Sequence, residues 1–214
     1  MKTLYTGIDC PDAGWIHAPM ISVLPPADPG ALEEAARSLR PDDTLLFTSR
    51  FAARFWADAM ERAGAPLSGQ RVVSIGPRTS EALRLRGIPV SGEAEPNDSF
   101  GVVALFERLV AGGERPGRVV FPRSDIALPL IPDGLRALGY EVVALTAYRN
   151  AMPADAKRVP LDGVGRIVFT SPSTVDNFVR LHGGLPDGIE FVARGAVTRA
   201  RLEEKLRERK GTGK

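Results

Sequence analysis

A single cysteine, Cys10, two histidines, and no long apolar run set the first boundaries on this 214-residue chain. One cysteine excludes an intramolecular disulfide framework and predicts a reducing compartment, the cytoplasm. His17 and His182 stand in unrelated contexts, so no metal site is expected. No segment reaches the ~20 apolar residues of a membrane helix. Residues 4–8 are interrupted by Gly7 and stopped by Asp9, which predicts no signal-peptide core. Neither nucleotide-binding glycine motif is present: there is no Gly-x-x-x-x-Gly-Lys-Ser/Thr, and no Gly-x-Gly-x-x-Gly after a strand. A nucleophile elbow is missing too, so covalent catalysis has no evident carrier. Charge is nearly balanced at +2, with seven basic and three acidic residues from Arg199 to the end. That tail reads either as a nucleic-acid patch or as a solvated last helix whose cations suit its negative end. No aromatic residues interleave the charges, which favours the helix and no nucleic-acid partner. An anionic ligand must therefore be held by local groups.

What the chain does contain is a repeat. Ile167, Val168 and Phe169 form a short apolar run suited to a parallel strand buried on both faces. Thr170 and Ser171 end it, Pro172 fits the first helical position, and Val175, Phe178 and Val179 recur at helical spacing. The same strand, hydroxyl-bearing turn and helix occur at residues 45–55, through Phe47-Thr48-Ser49. Thr48 is followed by Gly76-x-x-Thr79 and Thr170 by Gly195-x-x-Thr198, at threonine-to-threonine intervals of 31 and 28 residues.

Elsewhere strands alternate with helices. Strands are predicted at 44–48, 71–75, 118–121 and 142–148, and Pro122-Arg-Ser-Asp125 is read as leading into a helix that ends at Gly139. Too few strands follow Asn150 for an independent sheet, and the N-terminal segment is the natural supplement. The expected fold is α/β: two similar flavodoxin-like parallel-sheet domains joined by a two-stranded antiparallel hinge. One domain comprises residues 1–22 plus 150–214 and the other 25–146, with the hinge near 20–24 and 144–149.

Ligands of open parallel sheets bind beyond the C-terminal strand ends, where helix N-termini present unpaired N–H groups. Ser49, Thr79, Ser124, Ser171 and Thr198 are read at such ends. Each hydroxyl could simply cap its helix. Together, from two domains, they predict a large polyanionic ligand in a cleft. Tyr148 ends the second crossing and should face that cleft, where a neutral phenol can donate a proton. The competing reading is an aromatic packed on a strand.

These residues resemble the uroporphyrinogen-III synthase family over residues 19–204. The resemblance rests on the two Phe-Thr-Ser strand ends, Ile75-Gly-Pro-Arg-Thr-Ser-Glu-Ala-Leu83, Phe121-Pro-Arg-Ser-Asp125, residues 138–149 and Gly195-x-x-Thr198, in that order and spacing. It implies a lyase that cyclises the linear tetrapyrrole hydroxymethylbilane with loss of water and inversion of the last ring. No cofactor is implied, and hydroxymethylbilane synthase is the implied partner. It also implies Tyr148 as the catalytic residue assisting departure of the hydroxyl, with Thr79, Ser171, Thr198 and, less directly, Ser49 at cleft positions. The chain departs from the family pattern where only about a dozen residues separate Thr6 from Pro19, too few for the helix expected there, and where Ala193-Arg194-Gly195 precedes the last helix. The missing helix should leave apolar sheet surface uncovered. A non-catalytic tetrapyrrole-binding or partner-binding module of the same fold is the alternative. A phosphorylated-sugar or nucleotide enzyme rests on fold analogy alone.

Overall fold

The computed structural model describes residues 1–211; Lys214, counted in the basic tail, lies outside the described residues. The chain opens with β1 (Lys2–Tyr5), β2 (Ile16–His17) and β3 (Ser22–Leu24). It continues through α1 (Gly30–Arg37), β4 (Thr44–Phe47), α2 (Arg50–Ala63), β5 (Arg71–Ser74), α3 (Pro77–Arg84) and β6 (Gly92–Glu93). Next come α4 (Ser99–Ala111), β7 (Arg118–Ser124), α5 (Leu130–Ala137) and β8 (Glu141–Ala151). The last elements are β9 (Val164–Phe169), α6 (Pro172–His182), β10 (Glu190–Ala193) and α7 (Ala196–Gly211). Two compact units result, one of residues 1–22 with the chain from Ala151 onward, the other Val23–Asn150.

The larger unit carries a six-stranded sheet in the order β3-β8-β7-β4-β5-β6, whose core pairs are parallel. Strand residues alternate between its faces, as the two-residue pleat demands. Leu45, Phe47, Val72 and Val120 pack with Leu32, Trp56 and Leu83 of α1, α2 and α3. Leu46, Val73, Val119 and Phe121 pack with Val102 and Phe106 of α4 and Ile131 and Leu135 of α5. Both faces are closed by helices, so the middle residues of β4, β5 and β7 (Leu45–Phe47, Val72, Val73 and Val119–Phe121) are apolar and buried, as parallel strands covered on both faces should be.

In the smaller unit the sheet order is β10-β9-β1-β2, all parallel. Leu4, Ile167 and Phe169 face Val175 and Phe178 of α6 and Leu202 of α7. No helix occurs between β1 and β2. The expected uncovered apolar sheet surface is nevertheless not found: Tyr5 and Val168 are buried, and no exposed large hydrophobic among the described residues belongs to this sheet. The connection itself supplies cover, with the Trp15 ring 5.9 Å from that of Tyr5. A Gly14 N–H bond to Asp12 Oδ1 (2.8 Å) and a His17 Nε2 contact to Gly7 O (2.9 Å) fix its course.

A second correction concerns Pro122-Arg-Ser-Asp125. β7 does not stop at Phe121 but runs on to Ser124, and α5 begins only at Leu130. Beyond Val120 the strand has left its β4 partner and pairs only with β8. Proline is tolerated where one strand edge needs no N–H. Ser124 is therefore a strand-end residue, not a helix start.

Candidate functional site

Near the C-terminal end of β8 stands a buried phenol, that of Tyr148. Tyr148 is 7% exposed, and its hydroxyl donates to Ser49 Oγ at 3.0 Å. Ser49 is the N-cap of α2, in extended conformation, and also accepts the Phe51 N–H at 3.1 Å. Its one hydroxyl thus caps the helix and orients the phenol. Two rings from the same helix hold the tyrosine: Phe51 edge-on at 5.8 Å and Phe55 stacked at 6.4 Å. Four residues apart on α2, they lie on one helix face. Arg54 lies 4.8 Å over Phe55, and Arg50 lies 4.6 Å over Phe51, placing cationic heads at the rim of this aromatic group.

Burial pushes the Tyr148 pKa up; hydrogen bonding with Ser49 and Ser124 pulls the other way, and the Asp125 charge adds to the rise. The phenol is therefore neutral at physiological pH and available as a donor. Ser124 pairs with Tyr148 across β7–β8, after a register slip at Arg123/Ser124. Its hydroxyl accepts from the Asn150 side chain and from Ile126 N–H at 3.3 Å.

Thr79 occupies the first turn of α3 and is 5% exposed. It lines an open pocket of about 410 Å³ with Gly76, Pro77, Arg78 and Asn97. A Cβ at position 76 would sit 2.8 Å from Asn97 Cγ, so glycine there lets the asparagine approach the helix start. Pro77 at N1 leaves no N–H wasted.

In the smaller unit, Ser171 caps α6. Its Oγ accepts Thr174 N–H at 3.4 Å, while Thr174 Oγ1 accepts the Ser171 N–H at 3.2 Å, a reciprocal capping box. Thr198, 3% exposed, sits in the first turn of α7 after Gly195 at φ 93°, a left-handed turn that favours glycine. Arg194 projects over the Tyr5 ring at 5.4 Å.

Of the six residues singled out in the sequence, Tyr148, Ser49 and Ser124 form one cluster, and Thr79 lines a pocket in the same unit. Ser171 and Thr198 belong to the smaller unit. Sequence reasoning missed Phe51, Phe55, Asp125, Asn150 and Asn97. The i, i+4 pair of phenylalanines following the Phe-Thr-Ser end was the available signal for the first two.

A family model described as uroporphyrinogen-III synthase HemD matches residues 12–209. A Methanothermobacter thermautotrophicus protein, provisionally named uroporphyrinogen-III synthase, is 30% identical over 81% of this chain and 74% of its own length. The uroporphyrinogen-III synthase of Chlorobaculum parvum is 29% identical over 75% of this chain and 69% of its own. Among solved structures, a mutant uroporphyrinogen III synthase of Thermus thermophilus superposes with TM-score 0.67 at 20% identity, covering 96% of this chain and 89% of that one.

Proposed function

The chain belongs to the uroporphyrinogen-III synthase family, and from that premise we propose how its residues carry the reaction. It is a lyase of tetrapyrrole biosynthesis that closes hydroxymethylbilane to uroporphyrinogen III, losing water and inverting the last pyrrole ring. In this reading the Tyr148 phenol gives its proton to the departing hydroxyl, so that the C–O bond breaks and water leaves. The resulting azafulvene cation is attacked by the substituted carbon of the last ring. The spiro intermediate reopens and closes inverted, and the proton lost on rearomatisation replaces the one given by the phenol. Most of the acceleration comes from holding the chain ends in the reactive geometry.

Substrate carboxylates are assigned to Ser49, Thr79 and Ser124 of the larger unit and to Ser171 and Thr198 of the smaller one. Hydroxyl groups and helix-start N–H groups suit that charge. The paired strands β3 and β8 are assigned as the two-stranded antiparallel hinge between flavodoxin-like domains. The enzyme is placed in the cytoplasm and takes substrate from hydroxymethylbilane synthase.

The observation that carries this reading is the buried, neutral phenol held 3.0 Å from Ser49 Oγ between two rings. The test supplies the purified protein with hydroxymethylbilane and separates the uroporphyrinogen isomers. Wild type gives type III, and Tyr148→Phe slows turnover by up to about 10²-fold. An unchanged rate removes Tyr148 from the mechanism. Type I product alone, with tight binding of uroporphyrinogen III, marks a non-catalytic binding module instead.

A further inference from the structure

The register of β7 against β8 is one-to-one from Arg118↔Glu141 to Arg123↔Thr146, then slips so that Ser124 pairs with Tyr148. Ala147 is the extra residue, and Ala147 and Tyr148 are buried in succession. An unpaired residue of this kind re-aims the side chains that follow it. Whatever holds the slip therefore decides where the Tyr148 ring points.

The groups holding it converge on one residue. Asp125 N–H donates to the Tyr148 carbonyl at 3.1 Å. Its Oδ1 accepts the Asn150 N–H at 2.9 Å, the Ile126 N–H at 3.0 Å and the Ser124 hydroxyl at 3.2 Å. The Asn150 side chain reaches both Asp125 Oδ1, at 3.4 Å, and Ser124 Oγ. Asp125 thus grips the backbone on both sides of residue 149 and ties it to the end of β7. A carboxylate accepting several N–H bonds makes charge-assisted contacts, stronger than neutral ones, and α2 fixes only the ring and its hydroxyl.

We infer that Asp125 is the positioning residue for the Tyr148 phenol, holding the slipped end of β8 on β7 so that the hydroxyl meets Ser49. The inference rests on the reading of Tyr148 as the proton donor, and it adds a residue that touches neither substrate nor the reacting atoms. The charged groups around the phenol are Asp125 on the β7 side and, one ring removed on α2, Arg50 and Arg54. Removing the Asp125 charge takes away one cause that raises the phenol's pKa.

The experiment compares wild type, Asp125→Asn and Asp125→Glu, each labelled with ¹³C at tyrosine Cζ. The chain has three tyrosines, and Tyr148→Phe identifies the resonance of interest. In Asp125→Asn the Tyr148 resonance moves and its titration midpoint falls, while those of Tyr5 and Tyr140 stay in place. The same variant loses roughly tenfold in kcat with KM within about twofold, since misplacing a donor affects the transition state above the ground state. Asp125→Glu, which keeps the charge and acceptor, recovers part of both. An unmoved Tyr148 resonance in Asp125→Asn overturns the inference, as does a loss confined to KM. If Tyr148→Phe has full activity the proton-donor reading fails, yet the resonance shift still decides whether Asp125 positions the ring.

Discussion

The two units of this chain are built on one plan and finished differently. Align β4, α2, β5 and α3 with β9, α6, β10 and α7, and the sheet orders β8-β7-β4-β5 and β2-β1-β9-β10 coincide. The same neighbours are reached in a different chain order, because β1 and β2 precede β9 whereas β7 and β8 follow β5. Equivalent side chains match in detail. Phe47 meets Trp56 at 6.4 Å, and Phe169 meets Phe178 at 5.5 Å, each partner seven residues beyond the serine cap. What differs is the second face. The larger unit closes it with α4 and α5. The smaller one has no helix between β1 and β2 and closes it with a loop bearing Trp15. A repeated strand–helix hairpin therefore specifies one packed face, while the other can be completed by whatever the connection offers.

The largest effects should come from the matched phenylalanines. Phe47→Ala and Phe169→Ala each remove a fully buried ring and should cost about 3–5 kcal/mol. Phe169 also meets Phe191 at 6.2 Å, so urea unfolding should show it the more damaging by roughly 1 kcal/mol. Equal or reversed losses would mean that the shared face is not shared in energy. A smaller change, roughly 1–3 kcal/mol, is expected for Trp15→Ala. Near-wild-type urea stability in that variant would show that the loop is not what closes the second face.

The smallest effect distinguishes the units by pH. His182, stacked at 4.1 Å on Phe178, has its pKa lowered by burial and by the nearby Arg158. Its folded value lies below the unfolded one, so its share of stability is present above about pH 6.5 and fades as pH falls through the folded value. Tyr140 in the larger unit has its pKa raised by burial and the Glu114 charge; its share is present below about pH 10 and fades as pH rises. Hydrogen exchange should open α6 first in mild acid and the β8 start first in base. His182→Gln should remove the acid part of the difference.

How much of the site was legible follows the same division. Ser49 and Ser171 could be read as caps because a serine before a helical run has one local use, and both are caps. Ser124 does not open a helix, although Pro122-Arg-Ser-Asp125 reads as leading into one: β7 runs on to Ser124 and α5 begins at Leu130. Proline is compatible with β7 only because that edge has no partner there, a fact about a neighbouring strand. Asp125 stood in the Phe121-Pro-Arg-Ser-Asp125 motif without any sign of its partners, and Asn150 carried no local signal. Their bonds join the end of β7 to β8 where the two slip by one residue, and register is a relation between segments.

The sequence by itself determined the α/β class, the repeated hairpin and its glycine and serine punctuation, because periodicity and capping act within a few residues of chain. Only the tertiary structure decided which strands become neighbours, how a helix-free connection buries Tyr5, and where the Tyr148 hydroxyl points. Those outcomes depend on hydrogen bonds and packing between distant segments, 99 residues apart for Tyr148 and Ser49 and 162 for Thr6 and Val168, and no local pattern encodes them.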